Sequence, residues 1–146
     1  MKKSLLAIGF VSIIALVIAA ACGSKTASNG GGLPSGKTIK SVTVGNLTAT
    51  LSNSTGQLKP GDQEVMLAFT DPSGKLVDVG AMSLNFHMDQ MGTMAAMNDA
   101  VTLTTTSTPG VCHGKVNIEV AGEWQGQLAY EGPAGSGKTT FTVTAQ

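Results

Sequence analysis

From Ile39 onward, apolar and polar positions alternate in short runs separated by turn-forming residues. Val42, Val44, Leu47, Ala49 and Leu51 predict a first strand with a bulge at Gly45-Asn46. Lys59-Pro60-Gly61-Asp62 reads as a turn, Glu64 to Thr70 as a strand, and Asp71-Pro72-Ser73-Gly74 as a tight turn. Leu76 to Met88 carries the clearest alternation: Met82, Leu84, Phe86 and Met88 share one face, and Ser83, Asn85 and His87 share the other. Val101 to Thr106, Val111 to Val120, Trp124 to Tyr130 and Thr140 to Ala145 complete the set, with Pro109-Gly110 as a further turn. In Val111 to Val120, Cys112, Val116, Ile118 and Val120 face one way and His113, Lys115, Asn117 and Glu119 the other. Past residue 21 no longer window has convincing helical periodicity. Seven such runs with regular turn signals predict an all-β fold, an immunoglobulin-like antiparallel β-sandwich.

The pattern before Ile39 is of another kind. Met1 to Ala21 has two lysines, an almost unbroken apolar run from Leu5 to Ile18, and then small residues leading to Cys22. A basic start, an apolar stretch and a small-residue cleavage region are the parts of an export signal. An uncleaved membrane anchor, which needs about 20 apolar residues, is the alternative. Ala19-Ala20-Ala21-Cys22-Gly23-Ser24 resembles a bacterial lipobox, with Ala19 where Leu is usual, and favours cleavage with acylation of Cys22. Each buried acyl methylene contributes about 0.8 kcal/mol, and more than one chain makes anchoring stable. Gly23 to Thr38 is rich in Gly, Ser, Thr, Asn and Lys and cannot bury apolar surface, so it is expected to be a flexible tether. The expected organisation is therefore a lipoprotein signal at 1–21, lipidated Cys22 and linker at 22–38, and one folded domain at 39–146. It places the protein outside the cytoplasm, in the periplasm or on the outer face of the cell membrane.

Composition then narrows the function. The 146 residues carry 9 Lys and no Arg against 9 Asp plus Glu, and only 12% are charged. With no Arg for bidentate phosphate or base contacts, nucleic-acid binding has no electrostatic footprint. Loss of Lys2 and Lys3 with the signal leaves a mildly acidic domain. With Cys22 acylated, Cys112 is the sole thiol, so no intramolecular disulfide is expected. Gly132 to Thr139, GPAGSGKT, satisfies the phosphate-loop pattern G-x-x-x-x-G-K-[ST]. That pattern works at the start of a helix, yet Thr140 to Thr144 alternates like a strand, so a Gly-rich hairpin without ATP binding is expected. No Ser, His and acid stand in a recognisable catalytic arrangement, and the two His lie on different predicted strands, so no enzyme is expected.

One cluster carries candidate chemistry. His87-Met88-Asp89-Gln90-Met91-Gly92-Thr93-Met94-Ala95-Ala96-Met97 holds four of the seven methionines at a spacing of three. Thioethers are soft ligands that stay neutral at every pH, and with imidazole they suit Cu(I) or Ag(I) better than zinc. The spacing places Met91, Met94 and Met97 on one side of a helical turn or a tight loop, where sulfurs converge. The candidate ligand set is Met88, Met91, Met94 and Met97, with His87 as a nitrogen donor. The competing reading is that the methionines plug the open end of the sandwich, since Met fills irregular gaps. Trp124 reads as a core anchor and Cys112 as a small buried hydrophobe.

Gly80 to Met97, Pro109-Gly110-Val111 and Ala121-Gly122-Glu123-Trp124 together resemble the YtkA-like (FixH-like) domain of bacterial lipoproteins and efflux-associated exported proteins. The resemblance covers Thr43 to Val143. His87, Met88, Met91 and Met94 match its Met-rich segment, and Gly110, Gly114, Gly122 and Trp124 match its second half. Relatives commonly carry an aromatic after Gly-Val, where this chain has Cys112. The resemblance implies an extracytoplasmic immunoglobulin-like sandwich associated with copper or other heavy metals. It also implies a metal-efflux or membrane-complex protein as partner.

Overall fold

A computed structural model describes residues 35–146. The export signal, acylation of Cys22 and nearly all of the tether fall outside the described residues. Nine strands follow one another without a helix: β1 (Lys37–Val44), β2 (Leu47–Asn53), β3 (Gly61–Thr70), β4 (Ala81–Met88), β5 (Met97–Ala100), β6 (Thr102–Thr105), β7 (Val111–Ile118), β8 (Gly122–Gly132) and β9 (Gly135–Ala145). They form a five-stranded sheet, β1-β2-β3-β7-β6, and a four-stranded sheet, β5-β4-β8-β9, in which the strand pairs are antiparallel. The all-β sandwich predicted from the alternation is the fold observed.

The strand count differs from seven in two places, each with a physical reason. Val42 to Leu51 is two strands, not one bulged strand, because Val44 pairs with Leu47 across a two-residue turn at Gly45-Asn46. A bulge and a two-residue turn both shift the inward positions from even to odd, so periodicity does not separate them. Gly45, at φ 64°, takes the left-handed conformation that a side chain resists. The second difference is β5, which continues into β6 through Val101. The buried Val101 donates its N–H to the Leu84 carbonyl at 2.9 Å, and there the chain crosses from one sheet to the other.

Inward positions of both sheets make one core. Leu51, Val65, Leu67 and Phe69 come from one sheet, and Leu84, Phe86, Met88, Trp124, Leu128 and Tyr130 from the other. Phe69 meets Tyr130 edge-on between the sheets, with centroids 5.5 Å apart. Phe86 and Phe141 meet edge-on at 6.4 Å, on either side of Gly126 in the β4-β8-β9 register. A Cβ on Gly126 would lie 2.3 Å from the Phe141 ring, so that row holds two large rings only because its middle residue has no side chain. Cys112 is buried, as expected of a small hydrophobe, and burial pushes its thiol pKa up, with the Asp78 charge adding to the shift.

The phosphate-loop-like octet is the β8-β9 hairpin. Gly132 pairs with Gly135 across Pro133-Ala134, and Ser136 to Thr139 lie in β9, hydrogen-bonded along Leu128 to Glu131. Where a phosphate loop needs a helix N-terminus, this chain has a strand.

Candidate functional site

The methionine cluster is a hairpin, and its register sorts the four sulfurs into two pairs. β4 and β5 pair antiparallel up to Met88 opposite Met97. Beyond that rung the chain closes with Met91 opposite Met94: Met94 N donates to Met91 O at 2.9 Å, and Met91 N to Met94 O at 3.2 Å. Gly92 and Thr93 form the turn, with Gly92 at φ 58°. The spacing of three thus produces a tight loop, not a helical turn. Its symmetry about Gly92-Thr93 places the methionines opposite one another. Directly opposed residues of an antiparallel pair project to the same side, so the Met91 and Met94 thioethers stand together.

The two pairs have different surroundings. Met88 is 3% exposed and belongs to the core, with its Cε 3.0 Å from where a Cβ on Gly122 would lie. Met97 is half-buried and packs against the same core. Met91 and Met94 are 57% and 43% exposed, and among the described residues they are the exposed large hydrophobic side chains.

His87 is held elsewhere. Alternation on β4 turns it outward with Ser83 and Asn85, away from buried Met88. Its Nδ1 lies 2.9 Å from Asn98 Oδ1, and its Nε2 lies 2.9 Å from Asp89 Oδ1. Two oxygen acceptors are best satisfied by a ring protonated on both nitrogens. The Asn98 hydrogen bond, followed by that of Asp89, raises the His87 pKa above its ordinary value. With both nitrogens protonated, the state these two acceptors favour, the ring has no lone pair for a metal, so ligation by His87 would require loss of a proton and of one of these hydrogen bonds. Asn85 Nδ2 extends the row to Asn98 Oδ1 at 3.4 Å and to Gln127 Oε1 at 3.3 Å.

The structure brings Met91 and Met94 together, sets Met88 and Met97 behind them against the core, and turns His87 to the outer face of the sheet. Asn98 and Asp89 are functional neighbours that the sequence reading did not single out. Asp89 shares the parity of His87 and was open to inspection, whereas Asn98 enters only through the β4-β5 register. His113 lies on β7 of the other sheet, with Nε2 3.4 Å from Glu64 Oε2, and does not converge on the methionines. Trp124 is fully buried, and its Nε1 donates to Val120 O at 3.1 Å, as a core anchor does. Among the described residues no group of three or more His, Cys, Asp or Glu is placed to hold a metal ion. The clustered donors at this hairpin are thioethers.

These features define a class: a two-sheet antiparallel β-sandwich module that presents a methionine-tipped hairpin at one end. The YtkA-like family matches residues 41–129, more than half of the chain, and the chain belongs to that family. No curated protein and no solved structure matches it.

Proposed function

We propose that this YtkA-like protein is a membrane-anchored extracytoplasmic lipoprotein that binds Cu(I) or Ag(I) at the methionine hairpin and hands it to a partner protein in a metal-efflux or membrane complex. One observation carries the reading: Met91 and Met94 stand opposite one another at the hairpin tip, and both side chains are exposed. Leaving two large apolar side chains about half exposed side by side forgoes roughly half of the ~1.5–3 kcal/mol that full burial of each is worth, and a soft-metal role gives them a use. Two neutral sulfurs leave coordination positions open for a donor from another molecule, with Met97 nearest behind them in the hairpin. An open site suits transfer better than storage. Export and anchoring are supported by the basic-apolar-small pattern of residues 1–21 and by the lipobox-like setting of Cys22.

A competitive Cu(I) titration of the chain from Gly23 onward tests the metal reading against the variant Met91→Leu, Met94→Leu, Met97→Leu. Leucine roughly conserves volume and costs less than about 1.5 kcal/mol per site. Loss of Cu(I) affinity with folding retained supports thioether ligation. Equal, poor competition by both proteins rejects it.

A second reading has its own observation. Met88 and Met97 do pack the end of the sandwich, which favours a non-enzymatic interaction module whose Met tip is an adaptable contact surface for a partner protein. In that case the same triple variant weakens partner capture and leaves metal affinity unchanged.

A further inference from the structure

The topology fixes which end of the sandwich carries the methionine tip. β1 begins at Lys37, opposite Asn53 at the end of β2, and a Cβ on Gly56 would lie 2.9 Å from Lys37 Cβ. The segment after Asn53 continues to Leu58, whose carbonyl accepts a hydrogen bond from Gln146 N at 3.0 Å. Ala145 pairs with Gly122, and Gly122 lies against Met88. From Met88 the hairpin runs outward to Met91 and Met94. Residues 36, 54–58, 122 and 146 and the hairpin 89–96 therefore lie at one end. The turns at 45–46 and 133–134 close the opposite end. Whatever precedes residue 36 is attached at the methionine end.

We propose that the Met91–Met94 tip is a lipid-contact element that rests on the bilayer to which the chain is anchored. The inference depends on the anchoring of Cys22 proposed above, and it adds the orientation of the domain and the use of its exposed tip. For the fifteen steps from Cys22 to Lys37, a coil of the Gly- and Ser-rich composition found there has an r.m.s. span of roughly 19–23 Å, at ~5–6 Å × √n. The eleven-residue strand β8 is itself roughly 37 Å long at ~3.4 Å per residue. A mean span shorter than the domain keeps the near end closer to the membrane, on average, than the far end. At that near end stand the exposed large hydrophobics, flanked by exposed Ala95 and Ala96. Two thioether side chains are too small an apolar payload to bind a bilayer from solution. Tethering raises the effective concentration to the millimolar range and makes a weak contact persistent. Asp89, Asp99, Glu119 and Glu123 outnumber Lys37 and Lys59 around this end, so the contact favours zwitterionic over anionic lipid.

The test couples residues 22–146 through Cys22 to maleimide-bearing phosphatidylcholine vesicles that contain lipids brominated on the acyl chains. Cys112 is buried with a raised pKa, which directs coupling to Cys22. Thr93→Trp reports the methionine tip and Ala134→Trp the opposite turn, both at exposed positions, against the constant signal of buried Trp124. The expected result is several-fold stronger quenching for T93W than for A134W. It should fall to the A134W level when Met91→Ser and Met94→Ser are added, and it should weaken in vesicles of phosphatidylglycerol and phosphatidylcholine in equal parts. Equal quenching at the two ends overturns the proposal and leaves the Cu(I) reading of Met91 and Met94 standing, since the titration in solution tests that separately. Undiminished quenching in the Ser/Ser variant overturns it as well, because the introduced Trp then makes the contact. Mass spectrometry of the protein from its own membrane reads acylation of Cys22 separately. An unacylated Cys22 rejects the anchoring reading, whatever the tethered vesicles show.

Discussion

Met88 and Met97 form the last rung of the β4-β5 pair and Met91 and Met94 an isolated bridge three residues further out, yet the inner pair belongs to the core and the outer pair is exposed. Residue type and hairpin are shared, so the difference comes from place in the chain: the step of three reverses parity along an extended segment and carries the outer pair beyond the core. The inner rung lies over the sandwich, where Gly122 leaves room for the end of Met88. The outer rung extends past the last core residue, and among the described residues none buries it. A repeat that looks uniform in sequence is thus two devices: a plug that closes the end of the core, and a pair of thioethers held out beyond it. Of the two alternatives open from the sequence, core plugging describes the inner rung, and the metal binding proposed above concerns the outer one.

The contrast breaks most visibly in stability. Met88→Ala empties a fully packed position and is expected to cost about 2–5 kcal/mol, read as a lower urea midpoint with an unchanged slope. If Met88→Ala unfolds no more easily than Met91→Ala, the inner rung is not a plug. Metal affinity should show the reverse. Met91→Leu with Met94→Leu is expected to weaken Cu(I) binding at least tenfold, about 1.4 kcal/mol, whereas Met88→Leu leaves it unchanged in the same competition assay.

A smaller effect concerns His87. Its pKa in the fold is raised above the ordinary value of 6.5, so its contribution to stability is fully present below that value and is lost as pH rises through the raised one. Asn98→Ala, and to a lesser degree Asp89→Asn, should bring its titration, followed by imidazole proton shifts, back toward the ordinary value. A titration unmoved by both changes contradicts the assigned hydrogen bonds. Smallest of all, Met91→Ser with Met94→Ser should change stability by no more than about 0.5 kcal/mol per site. A larger loss would mean that the outer rung is packed.

Much of this arrangement was readable from alternation. The inward sets Met82-Leu84-Phe86-Met88 and Cys112-Val116-Ile118 are largely the buried positions of β4 and β7, with Met82 half-buried, because each strand has one face on the core and one in water. Alternation does not distinguish the Gly45-Asn46 turn from a bulge, because both devices shift the parity by one. The strand β5 was missed because Met97 to Ala100 alternates only between half-buried and exposed at a sheet edge, which leaves a weak periodic signal. Within the site, proximity of the methionines was legible, but their division was not. Burial of Met88 depends on Gly122, which is distant in sequence, and the restraint of His87 depends on Asn98 across the hairpin. Both are facts of register rather than of local pattern.

The central proposal is that the outer rung presents the principal thioether ligands. Methyl NMR of the ¹³C-labelled methionine εCH₃ groups during Ag(I) titration reads it site by site, because each sulfur reports through its own methyl. The account predicts that Met91 and Met94 shift first and furthest, that Met97 follows weakly, and that Met66, Met82 and Met88 stay in place. Shifts led by Met88, or no shift at Met91 and Met94 while silver is in excess, would contradict it.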